Sequence, residues 1–157
     1  MKEAIKNLKI SDCLQLLNEN YIGRLGFISH SSPHITPITY FHDAEEKSIL
    51  SYSTEGHKIN AMRKFPSVSL QVDEINTIQN WKSVLIHGRF EELQGSTAKK
   101  YLRKFSNGVQ ETIAKKIGES PKFISDFSSR LSERKLPVVY RVNINDISGK
   151  YREPEQN

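Results

Sequence analysis

The chain has 157 residues, 36% hydrophobic and 26% charged, a balance that suits one globular domain spanning 1–157 with a single core. No apolar run approaches the roughly 18 residues of a membrane helix, and the opening MKEAIKNLKISD lacks the apolar stretch of a secretory signal. A cytoplasmic protein without a membrane partner is expected. The formal net charge of +5 raises nucleic acid as a partner, but the cations are dispersed over Lys99, Lys100, Arg103, Lys104, Lys115, Lys116, Arg130, Arg134 and Lys135, several with acids nearby. That is the pattern of solvated helix faces, with no zinc-finger spacing or RNP motif, so no nucleic-acid partner is expected. The single Cys13 excludes an intramolecular disulfide and reads as a small semi-buried residue.

In chain order, Ser11 is a candidate cap for a helix over Asp12 to Asn20, with Leu14, Leu16 and Leu17 as its apolar face. Tyr21 to Ser29 reads as a strand carrying Gly23 and Gly26. His30 to Pro33 reads as a turn, and His34 to Phe41 as a strand whose Pro37 argues for an edge position. Asp43 to Lys47 is a polar turn and Ser48 to Ser53 a third strand. Lys58 to Phe65 has helical spacing, with Ile59, Met62 and Phe65 on one face and Pro66 as its stop. Val68, Leu70 and Val72 alternate with polar residues in a fourth strand, and Trp81 to Leu93 is a fifth, bent at Gly88. Ser96 to Phe105 predicts a helix, Asn107 to Lys135 is polar and weakly helical, and Tyr140, Val142 and Ile144 mark a last strand. The sum is a mainly β fold of about six antiparallel strands, suited to a small barrel with flanking helices. Its core covers about residues 10–149, with a helical insertion over about 96–135. No GxGxxG or regular βαβ alternation supports a Rossmann unit.

The most informative stretch is SILSYSTEGHKINAMRKFPSVSLQV, Ser48 to Val72. A strand ends in the hydroxyls Ser51, Ser53 and Thr54, and Gly56, His57 and Lys58 then open a helix. Helix N-termini favour negative charge, so a basic pair there is a misfit unless an anion is bound. Phosphate is the fitting ligand. The five histidines are His30, His34, His42, His57 and His87. Pro33 between His30 and His34 argues against a helix presenting both to one metal, so no metal site is expected.

Several pieces stand in order: Gly23-Arg24-Leu25-Gly26-Phe27, Pro33 to Tyr40, Tyr52-Ser53, Gly56-His57-Lys58, Asn60-Ala61-Met62-Arg63, Pro66 to Leu70, Trp81 to Val84 and Gly88 to Leu93. The series resembles the pyridoxamine 5′-phosphate oxidase-like FMN-binding split-barrel superfamily, in its branch related to nitroimidazole reductases. The resemblance spans about Leu14 to Leu93, with a weaker echo in Val139 to Gly149. It implies a six-stranded antiparallel split β-barrel that forms a homodimer with FMN at the interface. It assigns the FMN phosphate to His57, Lys58, Ser53 and Thr54, and the isoalloxazine to the strand Pro37-Ile38-Thr39-Tyr40. Ser83 is a further flavin contact, and Trp81 reads as either an interface aromatic or a flavin contact. Relatives often carry Arg where this chain has His57, which leaves Lys58 as the permanent cation.

The function implied is that of a flavoprotein oxidoreductase acting on a small aromatic acceptor, nitroaromatic or quinone-like. No side chain declares itself as a catalytic acid or base. Pyridoxamine phosphate oxidation itself is not expected, since the Arg-x-His substrate motif of those enzymes is missing from Ser148-Gly149-Lys150-Tyr151-Arg152. Two alternatives stay open: a non-catalytic flavin-binding or redox-sensing module, and a haem-binding protein on the same barrel with His30, His34 or His87 as axial ligand.

Overall fold

The computed structural model describes residues 4–118 and 137–155. In chain order the elements are β1 (Lys6–Asn7), α1 (Ile10–Glu19), β2 (Ile22–Ser29), β3 (Ser32–Thr39), β4 (Phe41–Asp43), β5 (Ser48–Ser53), α2 (His57–Lys64), β6 (Ser67–Thr77), β7 (Asn80–Glu92), α3 (Gly95–Ile117) and β8 (Val138–Arg152). Every ladder is antiparallel, in the order β3-β2-β6-β7-β8-β5-β4, with β1 beside β8. The fold class is the expected one. Eight strands stand among the described residues where six were expected, because two short pairings, β1 of 2 residues and β4 of 3, carry no alternation long enough to read.

Period-2 alternation divides the sheet into two faces. One face sends Leu25, Phe27, Ile38, Leu70, Val72, Val84, Ile86 and Val142 into a shared core with α1 and α2. The strand β5 is covered on both faces. Its Ile49 joins that core, while Leu50 packs with Leu102, Phe105, Val109 and Ile113 of α3. The two ends of the strand order meet where the Ser51 hydroxyl donates to the Thr39 carbonyl at 2.8 Å. The β7–β8 ladder shifts register at Gly88, where an added Cβ would lie 2.4 Å from the Asn143 carbonyl oxygen. This is the bend that the glycine signals.

Some local expectations are corrected. Lys9, not Ser11, is the N-cap of α1, with no side-chain cap bond, and Ser11 sits exposed in the first turn. The buried face of α1 is Cys13, Leu16 and Leu17, while Leu14 is 37% exposed. Cys13 is fully buried rather than semi-buried, and burial pushes its thiol up from the ordinary range. Phe65 leaves the face of Ile59 and Met62, because the helix has ended at Lys64 and Phe65 caps it, half exposed. The turn after β2 is only His30-Ser31, both at positive φ (51° and 64°), and Ser32-Pro33 already belongs to β3. Helix α3 continues past Phe105 to Ile117 and closes on Gly118 at φ 70°. Within it Gly108 is a packing residue: a Cβ there would meet the Phe41 ring at 2.2 Å. The rest of the expected insertion, 119–135, lies outside the described residues.

Candidate functional site

The site grows from a seam in the sheet. Strand β3 is an edge strand, and Pro33 and Pro37, which donate no N–H, stand where no ladder needs one. Strand β5 pairs with β4 only through Ser48, Ile49 and Leu50, so along Ser51–Ser53 that side of the strand faces β3 instead. Ser51 bridges the two edges through Thr39. After β3 the chain turns at Tyr40, whose N–H donates to the Tyr21 carbonyl at 2.8 Å.

Helix α2 begins just beyond Ser53. Its N-cap is Gly56, which supplies no side chain, so the first-turn N–H groups receive no side-chain cap. Thr54 and His57 are exposed, and Ser53 is half-buried. Lys58 is half-buried and has no hydrogen-bond or ion-pair partner among the described residues, whereas Arg24, Arg63, Lys104 and Arg141 each hold a carboxylate. Burial pushes the Lys58 ammonium down from the ordinary lysine range. A bound anion reverses that penalty, so this lysine gains more from a phosphate than a solvated one does.

Ser53, Thr54, His57 and Lys58 therefore gather at one uncapped helix start, and Thr39 is tied to the adjoining strand. The side chains of Ile38 and Tyr40 point into the core at 7% and 0% exposure, and the Tyr40 hydroxyl donates to the Leu17 carbonyl at 2.9 Å. Only their backbone is left for a ligand. Pro37 and Thr39 project from the opposite, outer face, where they pair with Arg24 and Ile22. Ser83 shares that outer face but not that place. It lies on β7, with β2 and β6 between it and β3, roughly 14 Å along the sheet at the usual strand spacing. There it accepts a hydrogen bond from the Gln71 amide at 2.9 Å, which also bonds Asp73, the partner of Arg24.

Residues that the sequence reading did not join to the site also stand beside it. The His57 ring lies 5.4 Å from His34, 6.0 Å from Phe27 and 6.5 Å from His30. The pairing of Phe27 with His34 follows from the β2–β3 register, which a two-residue turn fixes. The approach of His57 to both has no sequence signal. No group of three His, Cys, Asp or Glu among the described residues is placed to hold a metal. Arg63 of α2 bonds Glu55 in the loop before the helix and Glu92 at the end of β7, all at 2.7–2.8 Å. A separate cavity of about 450 Å³ lies between α1, β4 and α3, lined by His42, Asp43 and Lys104 and by none of the seam residues.

A family model described as pyridoxamine 5′-phosphate oxidase matches residues 10–151. The chain belongs to this family. Among solved members of the pyridoxamine 5′-phosphate oxidase fold, an FAD-binding protein from Mesorhizobium loti is 28% identical, with 96% of this chain and 98% of that chain covered and a TM-score of 0.72. A proposed 5-nitroimidazole antibiotic resistance protein from Bacteroides thetaiotaomicron is 14% identical, covering 98% of this chain and 93% of that one at a TM-score of 0.68. It shares the fold. An uncharacterised protein of Rhizobium meliloti is 34% identical over 89 residues, which span 57% of this chain and 58% of that protein. No helix among the described residues is long and apolar enough to cross a membrane.

The pyridoxamine 5′-phosphate oxidase fold implies a flavin. The residues present fit its phosphate: an unpartnered half-buried lysine, an uncapped helix start and two hydroxyls converge at one end of the seam.

Proposed function

We propose that the protein binds FMN in the seam and serves as an oxidoreductase for a small aromatic acceptor, nitroaromatic or quinone-like. The observation that carries this reading is Lys58, a half-buried cation without a partner among the described residues, at the open start of α2 in a chain of this family. Lys58 supplies the permanent charge for the phosphate. The first-turn N–H groups, Ser53 and Thr54 supply donors, and His57 adds a further donor. The backbone of Pro37 to Thr39 and the Thr39 hydroxyl address the polar edge of the flavin ring. When bound, the flavin supplies two-electron redox chemistry, and the protein orients it and limits its contact with water.

The reading includes a homodimer with the flavin at the interface. Two features support it. The outer face of the sheet exposes Ile22, Ile28, Ile35 and Leu85, more apolar surface on one face than scattered single residues account for. Ser83 also lies three strands along the sheet from Thr39, and a second copy packed on this outer face can bring its own Ser83 to a flavin held at Thr39.

The test is a pair of titrations, FMN against riboflavin, which lacks the phosphate. Lys58→Ala is expected to weaken FMN by about tenfold or more, as the loss of a charge-assisted hydrogen bond of about 1.5–3 kcal/mol implies. His57→Ala is expected to cost less, and riboflavin affinity to stay unchanged in both. Equal FMN affinity in the wild type and Lys58→Ala would refute the phosphate assignment.

A further inference from the structure

Lys58 has no counter-ion among the described residues although a carboxylate stands three residues before it. Glu55 is the only acidic residue between Glu46 and Asp73, and it lies in the same loop as Ser53, Thr54, Gly56 and His57. Its side chain is exposed and on that ground free to swing. It is held instead by Arg63, whose Nη1 and Nη2 donate to the two Glu55 oxygens at 2.8 and 2.7 Å. The other side of the same guanidinium donates from Nε and Nη2 to Glu92 at 2.8 and 2.7 Å, which fixes the guanidinium to the end of β7. Asn60 accepts a further bond from Nη1 at 3.3 Å. A planar guanidinium satisfies two carboxylates in this way, where a lysine ammonium offers one point of charge.

We infer that Arg63 is a positioning residue for the anion site: by capturing Glu55 it keeps that carboxylate from pairing with Lys58 and from repelling a phosphate at the α2 start. The inference rests on the reading that Lys58 binds the FMN phosphate. Arg63 touches no ligand itself. Without it, Glu55 is the acid closest in sequence to an unpaired, half-buried ammonium, and an internal ion pair there competes with the phosphate for the same charge. The electrostatic effect acts on anionic ligands alone, so a flavin without phosphate does not register it.

The experiment measures FMN and riboflavin affinity in Arg63→Gln, Arg63→Gln/Glu55→Gln, Glu92→Gln and Lys58→Ala. Arg63→Gln is expected to weaken FMN by about threefold to fivefold, the scale of one partly exposed charge interaction, and to leave riboflavin unchanged. Removing the freed carboxylate in Arg63→Gln/Glu55→Gln is expected to restore FMN affinity to within about twofold of the wild type. Glu92→Gln leaves Glu55 captured, and FMN affinity is expected to hold. A double variant as weak as Arg63→Gln would overturn the inference, because it would mean the clasp acts by tethering the loop. Equal losses in Glu92→Gln and Arg63→Gln would overturn it for the same reason. Should Arg63→Gln not fold, Arg63→Lys reads the same comparison: a smaller loss that Glu55→Gln restores supports the inference, and a loss that it does not restore overturns it. If Lys58→Ala binds FMN as the wild type does, the phosphate reading falls and the inference with it. If only the rescue fails, the phosphate reading stands alone.

Discussion

Single residues in this chain divide into those that have found a partner and those that have not. His42 belongs to the first group. It is 5% exposed, and its Nδ1 lies 2.6 Å from the Asn18 side-chain oxygen. That oxygen accepts only, so Nδ1 carries the proton. Burial outweighs the opposing pull of Asp43 and holds the imidazole below its ordinary value of 6.5. The sign follows from linkage: a depressed folded-state pKa contributes stability above the unfolded value and loses it as pH falls below. The urea midpoint is therefore expected to drop between about pH 7.5 and about pH 5.5, and to drop less in His42→Gln. An equal drop in both proteins would contradict the role given to His42. Lys58 belongs to the second group. Its charge and its place at a helix start were legible in the sequence, because a cation there opposes the helix dipole. Its burial and its lack of a partner among the described residues were not, because neither follows from local spacing: the nearest acid in sequence, Glu55, is taken by Arg63, itself held by Glu92 at the end of β7.

At the scale of elements, strong alternation was readable and weak local signals were not. β5 was expected with its observed ends, Ser48 and Ser53, β6 and β8 were located by their own period-2 patterns, and β7 was expected as a long strand bent at Gly88. The Asn107 side of α3 was expected only as weakly helical, because Gly108 lowers the helix signal until Phe41 is placed against it. The β2–β3 hairpin shows a local rule broken. A two-residue turn with positive φ at both positions favours Asn-Gly, yet this chain has His30-Ser31 at 51° and 64°. The arrangement costs backbone strain and places the His30 ring parallel to His57, with centroids 6.5 Å apart. Replacing His30-Ser31 with Asn-Gly is expected to raise stability by about 1 kcal/mol in urea unfolding. A loss of stability would mean instead that the ring contact outweighs the strain.

For the molecule as a whole, the sheet supplies the framework and the seam supplies the opening. Curling brings β3 beside β5 without a ladder between them, and α2 starts where that gap ends. The split-barrel class was legible from strand count, turn length and the ordered motif series. The separation of Ser83 from Thr39 was not, since it depends on β2 and β6 standing between β7 and β3. In the proposed dimer, Thr39 of one chain and Ser83 of a second copy address one flavin. FMN and a dimer are proposed to belong together, with the phosphate at Lys58. The most direct measurement is sedimentation velocity of the protein after FMN is added and excess removed, followed in the visible flavin band. The expected result is one boundary at the dimer mass, carrying one flavin per chain and bleached by reductant. A dimer or monomer sedimenting without the visible band, or a fully flavinated monomer, would contradict the account.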